Sequence, residues 1–220
     1  MTTTFTYRGR DLCAEGVTLS DIATTYGTPT YVYSATQIRS NYRAYKDALT
    51  RALGKNRFQI CYACKANGNQ AILSLLQREG AGADIVSVGE MQRALAAGIA
   101  PEKIIFSGVG KTASDIDAAL KAGVVHINIE AEGEIALIAA IAKKRRVTAQ
   151  VAVRVNPNVD ARTHAKITTG KKENKFGIDI EDVPAVFKRA RNLPYVQMNG
   201  VAVHIGSQLT SLSPFKRAYQ

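Results

Sequence analysis

From about residue 58 onward the chain alternates short apolar runs with longer amphipathic ones, a rhythm that few folds accommodate. Parallel strands joined by crossover helices produce it, because each helix lays its apolar stripe on the sheet and carries the chain back to the starting end. Six strands are predicted, at 58–65, 83–87, 103–109, 125–130, 148–155 and 198–205. The helices between them carry start signals. Ser87 to Glu90 precedes Met91, Ala94 and Leu95, and Thr112 to Asp115 precedes Ile116 and Leu120; both are capping-box patterns, with Gly98 and Gly123 placed to end the helices. Upstream, Ser34 to Gln37 opens a helix whose Ile38, Tyr42, Tyr45 and Leu49 recur at three- and four-residue spacing.

The first 30 residues differ, with one short helix pattern near 22–26 between strand-like pieces, and they are read as a segment of a separate, mostly β domain. Residues 31–220 are read as part of an α/β barrel of the TIM type. About six βα units are visible where a closed barrel needs eight, so the chain is expected to be truncated. Ser213 as N-cap with Pro214 at the first helical position starts a final helix just before Gln220.

The net charge of +11 and the basic runs at 143–146 and 188–191 raise the question of nucleic acid. Both runs sit in or after helical spacing without interleaved aromatics, so solvated helix surfaces are expected and no nucleic-acid partner. The longest apolar stretch, 135–142, is too short to cross a bilayer, and the N-terminus lacks a signal-peptide pattern. Three cysteines, an odd count, suit a reducing compartment, and a cytoplasmic location without membrane contact is expected.

Three motifs bear on chemistry. Ser107-Gly-Val-Gly-Lys-Thr112 follows a strand and precedes a helix like the end of a phosphate-binding loop, but the leading glycine would have to stand at position 105, which is isoleucine. Cys61 and Cys64, three apart on a strand, point to opposite faces and have no second pair, so no metal site is expected there. Lys65 shares a face with Ala63 and Cys61 at the C-terminal end of the first barrel strand, where barrel enzymes place their sites. Two readings stand for it: an amine desolvated by apolar neighbours and primed to attack an aldehyde, or a lysine that has reached solvent past the strand end.

The string Tyr62-Ala-Cys-Lys65-Ala-Asn67, followed by Gly82-Ala-Asp84-Ile-Val-Ser-Val-Gly-Glu90, resembles the pyridoxal-phosphate decarboxylases of the alanine racemase-like barrel fold. Ser107 to Lys111, Arg154-Val-Asn-Pro157, Thr163 to Gly170, Lys175 to Ile178 and His204-Ile-Gly-Ser-Gln208 are similar to the diaminopimelate decarboxylases within it. The resemblance implies decarboxylation of meso-2,6-diaminopimelate to L-lysine with pyridoxal 5′-phosphate bound by Lys65. It implies that His204 stacks on the cofactor ring, that Gly206 and Ser207 take the phosphate, and that Arg154 and Asp84 lie close to the cofactor. The polar connection of roughly 17 residues at 158–174 corresponds to a loop that covers the site. Its Lys171 and Lys172, with Lys175, either favour a dianionic substrate or simply decorate a solvated loop.

A homodimer is implied for the full-length enzyme. The family's glycine-rich phosphate loop, Glu-Pro-Gly-Arg segment and C-terminal β domain do not occur before Gln220, so the chain alone is expected to be inactive. The alternatives are a decarboxylase of the same fold for ornithine, arginine or carboxynorspermidine, and a non-catalytic homologue that binds the cofactor.

Overall fold

In the computed structural model, which describes residues 4–159 and 176–220, the chain opens with a three-stranded antiparallel sheet of β1 (Phe5–Arg8), β2 (Asp11–Ala14) and β3 (Val17–Thr18). Helix α1 (Leu19–Tyr26) follows directly, with the Thr18 hydroxyl accepting the Asp21 N–H. Helix α2 (Ala35–Leu53) starts at Ser34, whose hydroxyl accepts the Gln37 N–H at 2.9 Å. The reciprocal half of the expected capping box is absent because Gln37 turns its amide to Asn41 instead. Glu15, in the turn between β2 and β3, contributes to the cap instead. Its Oε1 accepts the Ser34 hydroxyl at 2.6 Å and the Thr36 N–H at 2.8 Å, and these bonds hold its carboxyl below the usual range.

The remaining elements build one parallel sheet. They run β4 (Cys61–Ala63), α3 (Gln70–Glu79), β5 (Gly82–Ile85), α4 (Val88–Ala96), β6 (Ile104–Phe106), α5 (Ala113–Ala122), β7 (His126–Ile129), α6 (Gly133–Arg145), β8 (Ala149–Asn156), β9 (Ile178–Asp179), α7 (Val183–Ala190), β10 (Val196–Val203) and α8 (Ser213–Ala218). The spatial order is β10-β8-β7-β6-β5-β4, with β9 also on β8, and the sheet does not close. All six expected strands are present. The first is shorter than the 58–65 reading: it ends at Ala63, and Cys64–Ala66 forms a 3-10 turn.

Strand alternation divides the sheet into two chemically distinct faces. Ala83, Ile85, Ile104, Phe106, Ile127, Ile129, Val151 and Val153 are fully buried in one cluster with Leu73, Met91, Ile116 and Ile138 of the helices. Each of these side chains larger than alanine contributes about 1.5–3 kcal/mol by leaving water. The intervening residues include Asp84, Ser107, Asn128, Glu130 and Arg154, which the parallel register sets side by side on the opposite face. Gly82 has no alternative at its position, because a Cβ there would lie 2.2 Å from the Lys103 carbonyl oxygen.

The helix signals hold with local adjustments. Thr112 and Asp115 make the full capping box, whereas Glu90 caps one residue earlier than expected, accepting the Val86 N–H at 2.7 Å. Ser213 lies inside α8 rather than capping it; the hydroxyl that accepts the Ser213 N–H is that of Ser211. The basic runs fall at the C-terminal ends of α6 and α7, where helix dipoles favour cations, and Arg145 and Arg189 pair with Asp117 and Glu132. Among the described residues no helix is long and apolar enough to cross a membrane.

Candidate active site

The polar face gathers its ionisable groups at the C-terminal ends of the strands. Asp84 projects from β5, Glu130 follows β7, and Arg154 stands near the end of β8. His204 comes one residue after β10. Lys65 follows β4, but as the middle residue of the 3-10 turn and not as a strand residue, so alternation does not set its direction. It is exposed, so of the two readings the one that places the lysine in solvent past the strand end holds, and the amine is not desolvated by Ala63 and Cys61. Its charge nevertheless acts on both Asp84 and His204, and Arg154 acts on the same two groups. Four of the six expected site residues therefore share one electrostatic neighbourhood.

Hydrogen bonds fix most of this wall. The Ser107 hydroxyl donates to Asp84 Oδ1 at 2.5 Å and accepts from Asn128 Nδ2 at 3.0 Å. Arg154 Nη1 donates to both oxygens of Glu130 at 2.9 Å, and Glu130 Oε1 also accepts the Gly108 N–H at 3.1 Å. The side chains of Arg154 and Glu130 are 13% and 3% exposed, so this pair gains more from its charges than a surface pair does. The Arg154 guanidinium also lies 5.7 Å from the Phe176 ring centroid, a cation–π distance.

Burial raises the Asp84 carboxyl above its ordinary value, opposed by the Ser107 hydrogen bond and the charges of Lys65 and Arg154. Partial burial and the same two cations push His204 down to about 4. Water at the exposed rim screens some of that effect, and the ring is neutral near pH 7. His126, lower on β7, is also shifted down by burial.

Gly206, in a β-bridge, and Ser207, at a bend, lie just beyond His204. Gly206 has φ +136° and Ser207 is exposed, and neither is hydrogen-bonded to the other four expected residues among those described. The segment with Thr163 to Gly170, Lys171, Lys172 and Lys175 lies outside the described residues. Cys61 and Cys64 are unpaired thiols, raised by burial to about 11 and about 12, and the described residues hold no group of side chains able to ligate a metal.

Sequence reasoning missed Asn128 and Glu130. The signal was present: both are polar residues alternating with Ile127 and Ile129 in a buried strand, where polar side chains need a purpose. Among the described residues buried Asn128 Oδ1 has no hydrogen-bond partner, so this wall leaves an acceptor for a further donor.

An exposed amine within electrostatic reach of a carboxylate, a guanidinium and a neutral imidazole fits an aldehyde cofactor. Lys65 would attach the aldehyde.

Comparison with known proteins bears on this fit. Residues 35–220 match the family model described as the pyridoxal-binding domain of pyridoxal-dependent decarboxylases. The diaminopimelate decarboxylase of Pseudomonas aeruginosa is 52% identical over 99% of this chain, and that of Zymomonas mobilis 46% over 97%, with 51% of each relative covered. The crystal structure of the M. jannaschii diaminopimelate decarboxylase in co-complex with L-lysine superposes with a TM-score of 0.89 at 41% identity, over 96% of this chain and 50% of that one. The chain thus spans about half the length of each of these relatives.

Proposed function

The chain belongs to the pyridoxal-dependent decarboxylases, and from that premise we propose that it forms the cofactor-binding wall of an enzyme converting meso-diaminopimelate to L-lysine with pyridoxal 5′-phosphate. One observation carries the reading: the Lys65 amine stands at the strand ends in the same electrostatic neighbourhood as Asp84, Arg154 and His204. The names of the relatives supply the substrate.

Pyridoxal 5′-phosphate, when bound, supplies an electron sink for the pair left behind as a carboxylate departs. Lys65 is the attachment point for its aldehyde. His204, neutral at pH 7, offers a flat apolar face for the cofactor ring without adding a positive charge to it. The Gly206 and Ser207 segment offers a backbone N–H and a hydroxyl to the phosphate. Arg154, held by Glu130, and Asp84, held by Ser107, fix the charge pattern of the wall.

The division near residue 30 into a β-domain segment and a barrel portion belongs to the same proposal, supported by the separate antiparallel sheet at the N-terminus. So do a homodimeric full-length enzyme and a cytoplasmic location, the latter supported by three free cysteines.

The test has two arms. Borohydride reduction of the chain with pyridoxal 5′-phosphate is expected to leave the cofactor covalently on the peptide containing Lys65, and on no single site in Lys65→Ala. Carbon dioxide release from meso-diaminopimelate is expected once the chain is assembled with the remaining half of the Pseudomonas aeruginosa relative. Labelling spread evenly over the lysines would defeat the cofactor reading. Specific labelling without turnover in that assembly would defeat the substrate reading.

A further inference from the structure

The stretch Ser107-Gly-Val-Gly-Lys-Thr112 imitates a phosphate loop in sequence, yet its lysine is buried against the protein. The Lys111 side chain is 1% exposed. Its ammonium donates to the Gly108 carbonyl of its own loop and pairs with Glu134 Oε1 at 3.0 Å. Left-handed backbone at Gly108 and Gly110, φ +92° and +70°, folds the loop back so that the lysine reaches that carbonyl. The other oxygen of Glu134 accepts the N–H of Glu130 at 2.6 Å and of Ala131 at 3.3 Å.

Two routes therefore lead from Lys111 to Glu130. One passes through Glu134 to the backbone where Glu130 leaves β7. The other passes through Gly108, whose carbonyl holds Lys111 while its N–H donates to the Glu130 carboxylate. Glu130 in turn holds Arg154 with both oxygens. The same loop's Ser107 donates to Asp84.

We propose that Lys111 is a positioning residue: it clasps the loops after β6 and β7 together, so that Glu130 presents Arg154 in one orientation to the cofactor. This rests on the pyridoxal-phosphate reading for its consequence, though not for its geometry. A buried ammonium held by a carboxylate and a carbonyl of two different loops ties those loops together, because leaving either carboxylate or amine unpaired in the interior is costly. The clasp joins groups from three successive strand ends, and among the described residues no backbone hydrogen bond beyond the sheet ties these groups together.

The proposal is tested in the full chain with Lys111→Met, Lys111→Arg and Glu134→Gln, beside the remote core variant Ile138→Val as a control for general destabilisation. The first readout needs no cofactor: arginine side-chain NMR of Arg154, whose terminal nitrogens give separate signals while Glu130 restrains them. Lys111→Met and Glu134→Gln are each expected to merge or broaden those signals, Lys111→Arg to retain them in part, and Ile138→Val to leave them unchanged.

The second readout is affinity for pyridoxal 5′-phosphate. It is expected to fall about tenfold in Lys111→Met, the size usual when a group that orients a ligand-contacting residue is lost, and to change little further when Lys111→Met is added to Glu130→Gln. Unchanged Arg154 signals in both clasp variants overturn the proposal whatever the cofactor does, as does an equal loss in Ile138→Val. If Lys111→Met does not fold, Glu134→Gln decides by the same criteria. Absence of Lys65 labelling in the unaltered chain, with Arg154 signals responding as described, would instead count against the function and leave the clasp standing.

Discussion

Asp84 is held in two ways that oppose each other. Burial favours its neutral form, while the Ser107 hydroxyl and the charges of Lys65 and Arg154 favour the carboxylate. Ser107 is therefore the adjustable part, since it donates a charge-assisted bond at 2.5 Å to a single oxygen. Removing it in Ser107→Ala is expected to raise the Asp84 pKa further, read by carbon-13 NMR titration of the carboxyl. A carboxyl whose folded pKa lies above its unfolded value stabilises the fold most below the unfolded value, and that contribution is lost as pH rises through the folded pKa. The Ser107→Ala variant should consequently lose more stability than the parent between acid and neutral pH, measured by urea denaturation across that window. An Asp84 titration that moves down or not at all would show that Ser107 does not govern the carboxyl.

At the level of elements, the join between α2 and the N-terminal sheet depends on a carboxylate at an exposed position. Glu15 caps the Ser34 hydroxyl and the Thr36 N–H, and its pKa is lowered by those bonds. With a folded pKa below the unfolded one, the stabilisation is present above the unfolded value and disappears as pH falls through the folded value. Limited proteolysis within residues 16–34 is thus expected to accelerate on acidification in the parent. In Glu15→Gln it should be fast at neutral pH already and nearly independent of pH.

The caps and strands were legible because their chemistry is local. Ser34, Ser87 and Thr112 each precede an apolar pattern, and every expected strand coincides with a β-strand of the parallel sheet. Glu15 was not legible, since its partner lies 19 residues away and nothing in either stretch names the other. Lys65 was found by its motif but given the wrong local geometry, because strand alternation was carried two residues past Ala63 into a turn. Asp84, Arg154 and His204 came from the family resemblance, and the register of the sheet supplies what the sequence could not: their proximity.

For the whole molecule the decisive property is that the parallel sheet runs from β4 to β10 without closing. A strand at the margin of a sheet offers unpaired N–H and carbonyl groups, and Val201 on β10 adds an apolar side chain that is 59% exposed. The chain by itself is accordingly expected to self-associate as concentration rises. Val201→Lys should shift sedimentation toward the monomer without lowering the melting temperature, as a charge on a marginal strand discourages pairing. Sedimentation unaffected by that substitution would place the association elsewhere.

The unclosed sheet also sets a clock for each strand. Strands β6 and β7 have a parallel neighbour on both sides and helices over one face, so their amides trade protons with water only when a large part of the core opens. Among the described residues the outward amides of β4 and β10 have no such partner in the sheet. Lys65 and His204, the two groups that flank the cofactor in the proposed enzyme, follow those two marginal strands. In the chain by itself the amides of β4 and β10 are therefore expected to exchange before those of β6 and β7, so that hydrogen exchange reaches the strands preceding Lys65 and His204 first.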